Sequence, residues 1–222
     1  NGKIVSSKLL PKEIAGRDIY LPANVYIIGT VNMDETTHPF SKKVLDRANT
    51  IEFNRVQLDH LDFLKELKQV EPMKLNQEAF AAKYLYLKDV YQRYPHVVER
   101  ATNELVKINT YLQPLGAHIG YRVRDEICFY LACNEEGKLM TFENAFDHCL
   151  LQKILPRISG SDARVQRALE QLFTFCTGIE LNGEYDALLD FTYAKYPKSA
   201  DKILHMLRRL ADDGFTSFWI GS

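Results

Sequence analysis

The feature that most constrains this 222-residue chain is a change of apolar rhythm near residue 55. Before it, Val25-Tyr26-Ile27-Ile28-Gly29-Thr30-Val31 runs apolar without alternating. A short β-branched run with no polar face suits a central strand of a parallel sheet covered on both sides. Pro39 stands where the first residue of a helix through Ala48 would lie, and Thr50-Ile51-Glu52-Phe53 reads as a second short strand. Asp18-Ile19-Tyr20-Leu21-Pro22 gives a short extended entry, because the residue before a proline is pushed out of the helical region. The expectation for residues 25–53 is therefore strand, helix, strand.

Beyond Arg55 the apolar residues return at helical steps. Leu58, Leu61, Leu64 and Leu67 repeat every third position. Asn76 can cap a helix carrying Phe80, Tyr84, Leu87 and Tyr91, interrupted at Pro95. Val97, Ala101, Leu105, Ile108 and Leu112 form the next stripe, ended by Pro114 and Gly116. Thr141 caps a helix with Phe146, Leu150 and Ile154 on one face, closed by Pro156. Ser199 opens a last helix through Ile203, Leu207 and Leu210, stopped at Gly214. These stripes read as the core-facing sides of a helical bundle. The fold class expected is mostly α with a small α/β part.

Composition excludes some functions and leaves others open. A formal net charge of −1 provides no global basic field for nucleic acid. No apolar run reaches the roughly 18 residues a membrane helix needs. Cys128, Cys133, Cys149 and Cys176 form no CxxC pair and sit among apolar neighbours, which predicts buried reduced thiols in a cytoplasmic protein. The histidines (His38, His60, His96, His118, His148, His205) show no ligand pair four residues apart, so no metal site is expected. Lys153, Arg157, Arg164 and Arg167 read as a solvated basic helix face, with a DNA-facing rim as the other option. Phe215, Phe218 and Trp219 can dock either on the bundle or on a partner.

Three places carry candidate chemistry. Asn32 follows the apolar run, and open α/β sheets bind ligands beyond the carboxyl ends of their strands. A neutral amide there can hold a water or a phosphate oxygen, or it can simply cap a turn. Arg47 ends the following helix, where a guanidinium can reach a neighbour's γ-phosphate, satisfy the helix dipole or pair with Asp46. Arg122 and Arg124 lie at the start of a helix running into Ile127-Cys128-Phe129-Tyr130-Leu131, about 200° apart around its axis. They cannot both face one ligand, and Asp125 and Glu126 offer surface pairing instead. Asn134-Glu135-Glu136 reads as that helix's end and a polar turn.

Together, "VYIIGTVNMDETTHPFSKKVLDRANTIEF" resembles the fourth strand, following helix and fifth strand of the AAA+ core, closest in flavour to the McrB-type restriction NTPase. The resemblance covers roughly residues 18–55. The remainder is consistent with the helical lid of that family, with "FDHCLLQKILPR" at residues 146–157 its most familiar stretch. By resemblance, residues 1–55 are the C-terminal part of the core sheet and residues 56–222 the lid. Asn32 is then the sensor-1 residue, Arg47 an arginine finger acting across a ring interface, and Arg122 or Arg124 the sensor-2 nucleotide contact. The family often carries two or three arginines at the finger, where here Asp46 and Ala48 flank a single Arg47. The resemblance further implies GTP or ATP with Mg²⁺ in an intact parent, a homo-oligomeric ring such as a hexamer, a partner nuclease, and DNA recognition through a separate domain.

No G-x-x-x-x-G-K-[ST] occurs: Gly2-Lys3 and Gly137-Lys138 lead into Ile4 and Leu139. With no initiator Met at Asn1 either, the expectation is a C-terminal piece of the motor without its phosphate-binding loop, itself inactive and carrying no nucleotide. The alternative is a non-catalytic helical protein-interaction module.

Overall fold

A computed structural model describes residues 3–4, 19–20, 25, 27–33, 40–53, 61, 74, 76, 85–181, 183, 185 and 190–219. The chain divides into two compact units, residues 1–31 with 58–84, and residues 32–57 with 85–222. In the first, β1 (Lys3–Ile4) pairs antiparallel with β2 (Ile19–Tyr20), Lys3 opposite Tyr20. The extended reading before Pro22 is met there. The helices expected around Leu58–Leu67 and from Asn76 to Tyr84 fall almost wholly outside the described residues.

The second unit is helical. It holds α1 (Lys42–Leu45), α2 (Leu87–Arg93), α3 (Pro95–Leu112), α4 (Tyr121–Gly137), α5 (Phe142–Cys149), α6 (Ala163–Thr177) and α7 (Pro197–Asp213). A mostly α fold with a little strand is thus what the chain forms. Helix α3 starts on Pro95 at its first position, where a missing N–H costs nothing. Its stripe of Val97, Ala101, Leu105, Ile108 and Leu112 is buried throughout, as the spacing predicts. Helix α4 ends with Lys138 left-handed at φ 47°, a conformation costly for a side chain that carries a Cβ. The Asn134 amide holds that turn, donating to the Met140 carbonyl at 2.9 Å and accepting from its N–H at 3.1 Å.

Helix α5 begins at Thr141, whose hydroxyl accepts from the Asn144 N–H at 3.2 Å. It does not stop at Cys149. The chain continues through a π-turn at Leu150–Ile154 and a 3₁₀ turn at Leu155–Arg157. Pro156 lacks the N–H that a regular α turn would need there, so the helix widens, then tightens, before it ends. Asp162 caps α6 through the N–H groups of Arg164 and Val165 at 2.9 and 3.1 Å. After α7, Gly214 (φ 70°) turns the chain into β4 (Thr216–Ser217), antiparallel to β3 (Ser159–Gly160). Gly160 is required at that ladder: its φ is 145°, and a Cβ would stand 2.9 Å from Val165 Cγ2.

Helices α6 and α7 pack together, α3 lies against α4 and α6, and α5 bridges α4 and α7. Phe146, Phe173, Tyr196, Ile108 and Leu131 are among the largest side chains in the shared core. Helix α7 starts at Pro197, two residues ahead of the expected Ser199, because its cap comes from another helix. The carboxylate of Asp147, on α5 and buried, accepts the Lys198 N–H and the Ser199 N–H, both at 2.9 Å, and the Ser199 hydroxyl. An anion at a helix N-terminus also opposes the positive end of the dipole.

Two sequence expectations are corrected. Residues 25 and 27–33 form no strand, and neither do residues 50–53. A strand exists only where a neighbour completes its hydrogen-bond ladder, and none of the described strands lies beside these stretches. The helix expected from Pro39 through Ala48 shrinks to the single turn of α1.

Hydrogen bonds to a charged group contribute about 1.5–3 kcal/mol each, and an orphaned buried N–H costs about 1–3. Asp147→Ala should therefore destabilise the fold by about 3 kcal/mol or more, and Asp147→Asn by roughly half as much. Urea denaturation followed by circular dichroism measures both. A loss below about 1 kcal/mol for Asp147→Ala would show that α7 does not depend on this cap.

Candidate functional site

The surface of interest is where residues 40–53 lie on the helical bundle. Leu45 is the buried residue of α1, which packs on the Leu155–Arg157 turn. Asp46 pairs with the Arg157 guanidinium, whose side chain is only 4% exposed. Arg157 Nε also donates to the Lys153 carbonyl at 3.0 Å, which fixes the direction of the fork. The Thr50 N–H donates to the Gln152 carbonyl at 3.3 Å. Glu52 meets Lys202 of α7 at 2.5 Å, with the lysine 9% exposed. Phe40 packs edge-on to Trp219, their ring centroids 5.2 Å apart, and the Trp219 indole N–H donates to the Pro156 carbonyl at 3.2 Å.

Two buried cations hold the segment, Arg157 with Asp46 and Lys202 with Glu52, and a third buried cation, Lys153, pairs with Glu126 of α4. The Lys202 ammonium also stands 4.5 Å from the centre of the Phe218 ring. The reading of Lys153 and Arg157 as a solvated face is thereby corrected; Arg164 and Arg167 are exposed as expected. The signal was present in the periodicity. Phe146, Leu150, Ile154 and Arg157 follow one another at steps of four, four and three, so Arg157 occupies the next place on the apolar stripe. The C-terminal aromatics also divide: Phe218 is buried on the bundle, Trp219 half-buried, and Phe215 exposed.

The residues singled out for nucleotide chemistry are placed as follows. Asn32 is exposed in an irregular stretch. Arg47 is exposed just past α1 and donates from Nη1 to the Lys43 carbonyl at 2.9 Å. That is the cation-at-the-helix-end arrangement, and its neighbour Asp46 is engaged with Arg157 instead. Arg122 is exposed on the first turn of α4. Arg124 is half-buried, bonded through Nε and Nη2 to Asp125 Oδ1 at 2.8 and 2.6 Å, and lies 4.9 Å from the Tyr121 ring centre. The surface-pairing alternative therefore describes Arg124. The four are not gathered around one point by any contact described.

Two other polar groupings lie in the helices. The Lys198 ammonium is 2.9 Å from His148 Nε2 and can only donate, so Nε2 accepts and the neutral ring carries its proton on Nδ1, 3.3 Å from the Tyr130 hydroxyl. Burial, then the adjacent Lys198 charge, holds the His148 pKa below its ordinary value, with Asp147 opposing. Cys128, Cys149 and Cys176 are buried, as expected, and the same expectation for Cys133 is corrected, because that position of α4 is exposed. Burial pushes the Cys128 thiol up to about 11 and raises the Cys149 and Cys176 thiols well above their ordinary value, so all three stay protonated and unreactive near neutrality. Among the described residues no three His, Cys, Asp or Glu side chains gather in a way that could hold a metal ion, and no helix is long and apolar enough to cross a membrane.

Fold and surface thus define a helical domain that carries a short docked segment through buried cations. Residues 55–215 match the family described as Domain of unknown function (DUF8727), and the chain belongs to that family. No curated protein and no solved structure matches it. The family match begins two residues after the stretch at residues 25–53 and covers helices α2 to α7 but not α1.

The His148 array has a pH consequence. The folded pKa is depressed below the unfolded value of about 6.5, so the unfolded chain takes up a proton first as pH falls. The stabilising contribution is fully present above about pH 6.5 and is lost as pH falls through the folded value. His148→Gln should flatten the fall in unfolding free energy between about pH 7.5 and about pH 5.5. Denaturant midpoints of both proteins across that range provide the test, and parallel curves would remove His148 from the pH response.

Proposed function

We propose that this chain is the lid-side part of a McrB-type AAA+ NTPase, in which nucleotide hydrolysis at subunit interfaces of a cytoplasmic ring powers DNA restriction or remodelling with a partner nuclease. The observation that carries the reading is the exposure of the two stretches whose sequence suits covered strands. Ile28 and Phe53 are 89% and 90% exposed, and Val25, Ile27, Val31 and Ile51 also face solvent. Apolar β-branched residues in that condition are what sheet strands present when their neighbours are absent, and adjoining strands of an AAA+ core would cover them.

Two further features support it. The residues 25–53 that resemble sensor 1 and the arginine finger precede the helices α2 to α7 in the sequence, the order in which an AAA+ core passes into its lid. Arg47 and Arg122 both stand at the surface, where a neighbouring subunit or a nucleotide can reach them. In this reading Asn32 orients the attacking water, Arg47 stabilises charge on a neighbour's γ-phosphoryl, and Arg122 or Arg124 contacts the bound nucleotide. GTP or ATP with Mg²⁺ would be held by the phosphate-binding half of the intact ring, and DNA by a separate domain. The second reading, a non-catalytic helical interaction module, is favoured by the same exposed apolar stretch if its cover is a different protein.

The purified 222 residues should show no nucleotide hydrolysis above a no-enzyme control, since no P-loop sequence lies within them. Turnover by this chain alone would overturn the reading. In the ring-forming protein, Arg47→Ala should lower hydrolysis about 10³-fold or more while leaving nucleotide affinity within about twofold. A helical interaction module would show neither hydrolysis nor nucleotide binding in that longer protein.

A further inference from the structure

Two ion pairs hold the docked segment, and Arg47 lies between them in the sequence. Asp46, its immediate neighbour, is bound by Arg157, and Glu52, five residues on, is bound by Lys202. Both cations are buried and both acids are more exposed, with side chains 43% and 25% accessible. The Thr50 N–H to Gln152 carbonyl bond lies between the two pairs. The Arg157 fork is itself aimed by the Lys153 carbonyl, and Lys202 is flanked by the Phe218 ring. The helical domain therefore presents two fixed positive points, spaced to take two acids of one short segment.

We propose that Arg157 and Lys202 are positioning residues for Arg47, a two-point latch by which the helical domain sets the place of the finger segment. Arg47 needs no contact of its own with the helices: its backbone follows Asp46, and its side chain is exposed and donates to the Lys43 carbonyl of its own turn. Binding the acids fixes where that guanidinium starts from, and a shift of the helices moves it. The positioning role rests on the reading of Arg47 as a trans-acting arginine; the latch itself is a property of this chain and is testable without it.

The test has two arms. In the first, hydrogen exchange is measured on the full 222-residue chain carrying Asp46→Asn with Glu52→Gln, which leaves both buried cations in place. The latch requires the amides of residues 44–53, Thr50 above all, to exchange about tenfold faster while α3 is unchanged. Asp46→Glu should stay near the unaltered rate. Unchanged exchange at residues 44–53, or an equal rise throughout α3, overturns the latch. In the second arm, the ring-forming protein carrying Asp46→Asn should lose about tenfold to a hundredfold in kcat with KM unchanged, the scale of a misplaced catalytic group. Unchanged kcat, in a protein where Arg47→Ala abolishes hydrolysis, overturns the positioning role and leaves the function standing. Hydrolysis surviving Arg47→Ala removes the function and the positioning role together, while the exchange result continues to decide the latch.

Discussion

The carboxylate of Asp147 is the interaction on which the helical domain depends most. It lies inside the bundle and takes two backbone N–H groups and one hydroxyl from the start of α7. A buried charge is costly unless its lone pairs are filled, and here they are filled by donors that would otherwise be orphans of a helix end. The arrangement fixes α7 relative to α5 in angle and in register. Lys202 sits one turn beyond that anchor, and Leu150–Arg157 continues directly from the helix that carries Asp147. Both cations that receive the docked segment are thus tied to one carboxylate.

Much of the helical fold is legible in the sequence because its driving term is local. The stripe on α3, the Thr141 cap, the Gly214 stop and the polar end of α4 all follow from spacing and from side chains within one turn of the backbone groups they serve. What could not be read is what depends on a distant residue. The start of α7 is misplaced by two residues because its cap is on α5. Asp162, by contrast, caps its own helix from the adjacent position. The widened turn after Cys149 needs Pro156 read together with the packing of α5, not as a simple stop.

The candidate site divides along the same line. Residue type and position bring Arg47 and Arg122 to the surface at helix ends, and both are found there. The pairing of Asp46 with Arg157 joins positions 111 residues apart, and Glu52 with Lys202 joins positions 150 apart. No spacing rule reaches across such gaps. Only the place of Arg157 on the apolar stripe hinted that it would be buried. The strands expected at residues 25–31 and 50–53 failed for a related reason. A strand's hydrogen bonds are all to other segments, so its sequence states a tendency that only a neighbour can satisfy.

The chemistry of the docking surface has a consequence for motion. Had residues 40–53 been joined to the helices by a wide apolar face, moving them would expose a core. Apart from Leu45, the Phe40–Trp219 contact and the Lys42 ammonium, which donates to the Gly116 carbonyl at 2.8 Å, the described attachments are ion pairs with partly exposed acids and one backbone hydrogen bond. An ion pair open to water on one side contributes about 0–1 kcal/mol, whereas stripping the partner from a fully buried charge costs about 3–5. The acids can therefore leave with little loss on their own side. The cations cannot stay unpaired at low cost, because Arg157 and Lys202 have nowhere wet to turn. The cost of displacing the segment therefore falls on the two cations, and that cost draws the segment back.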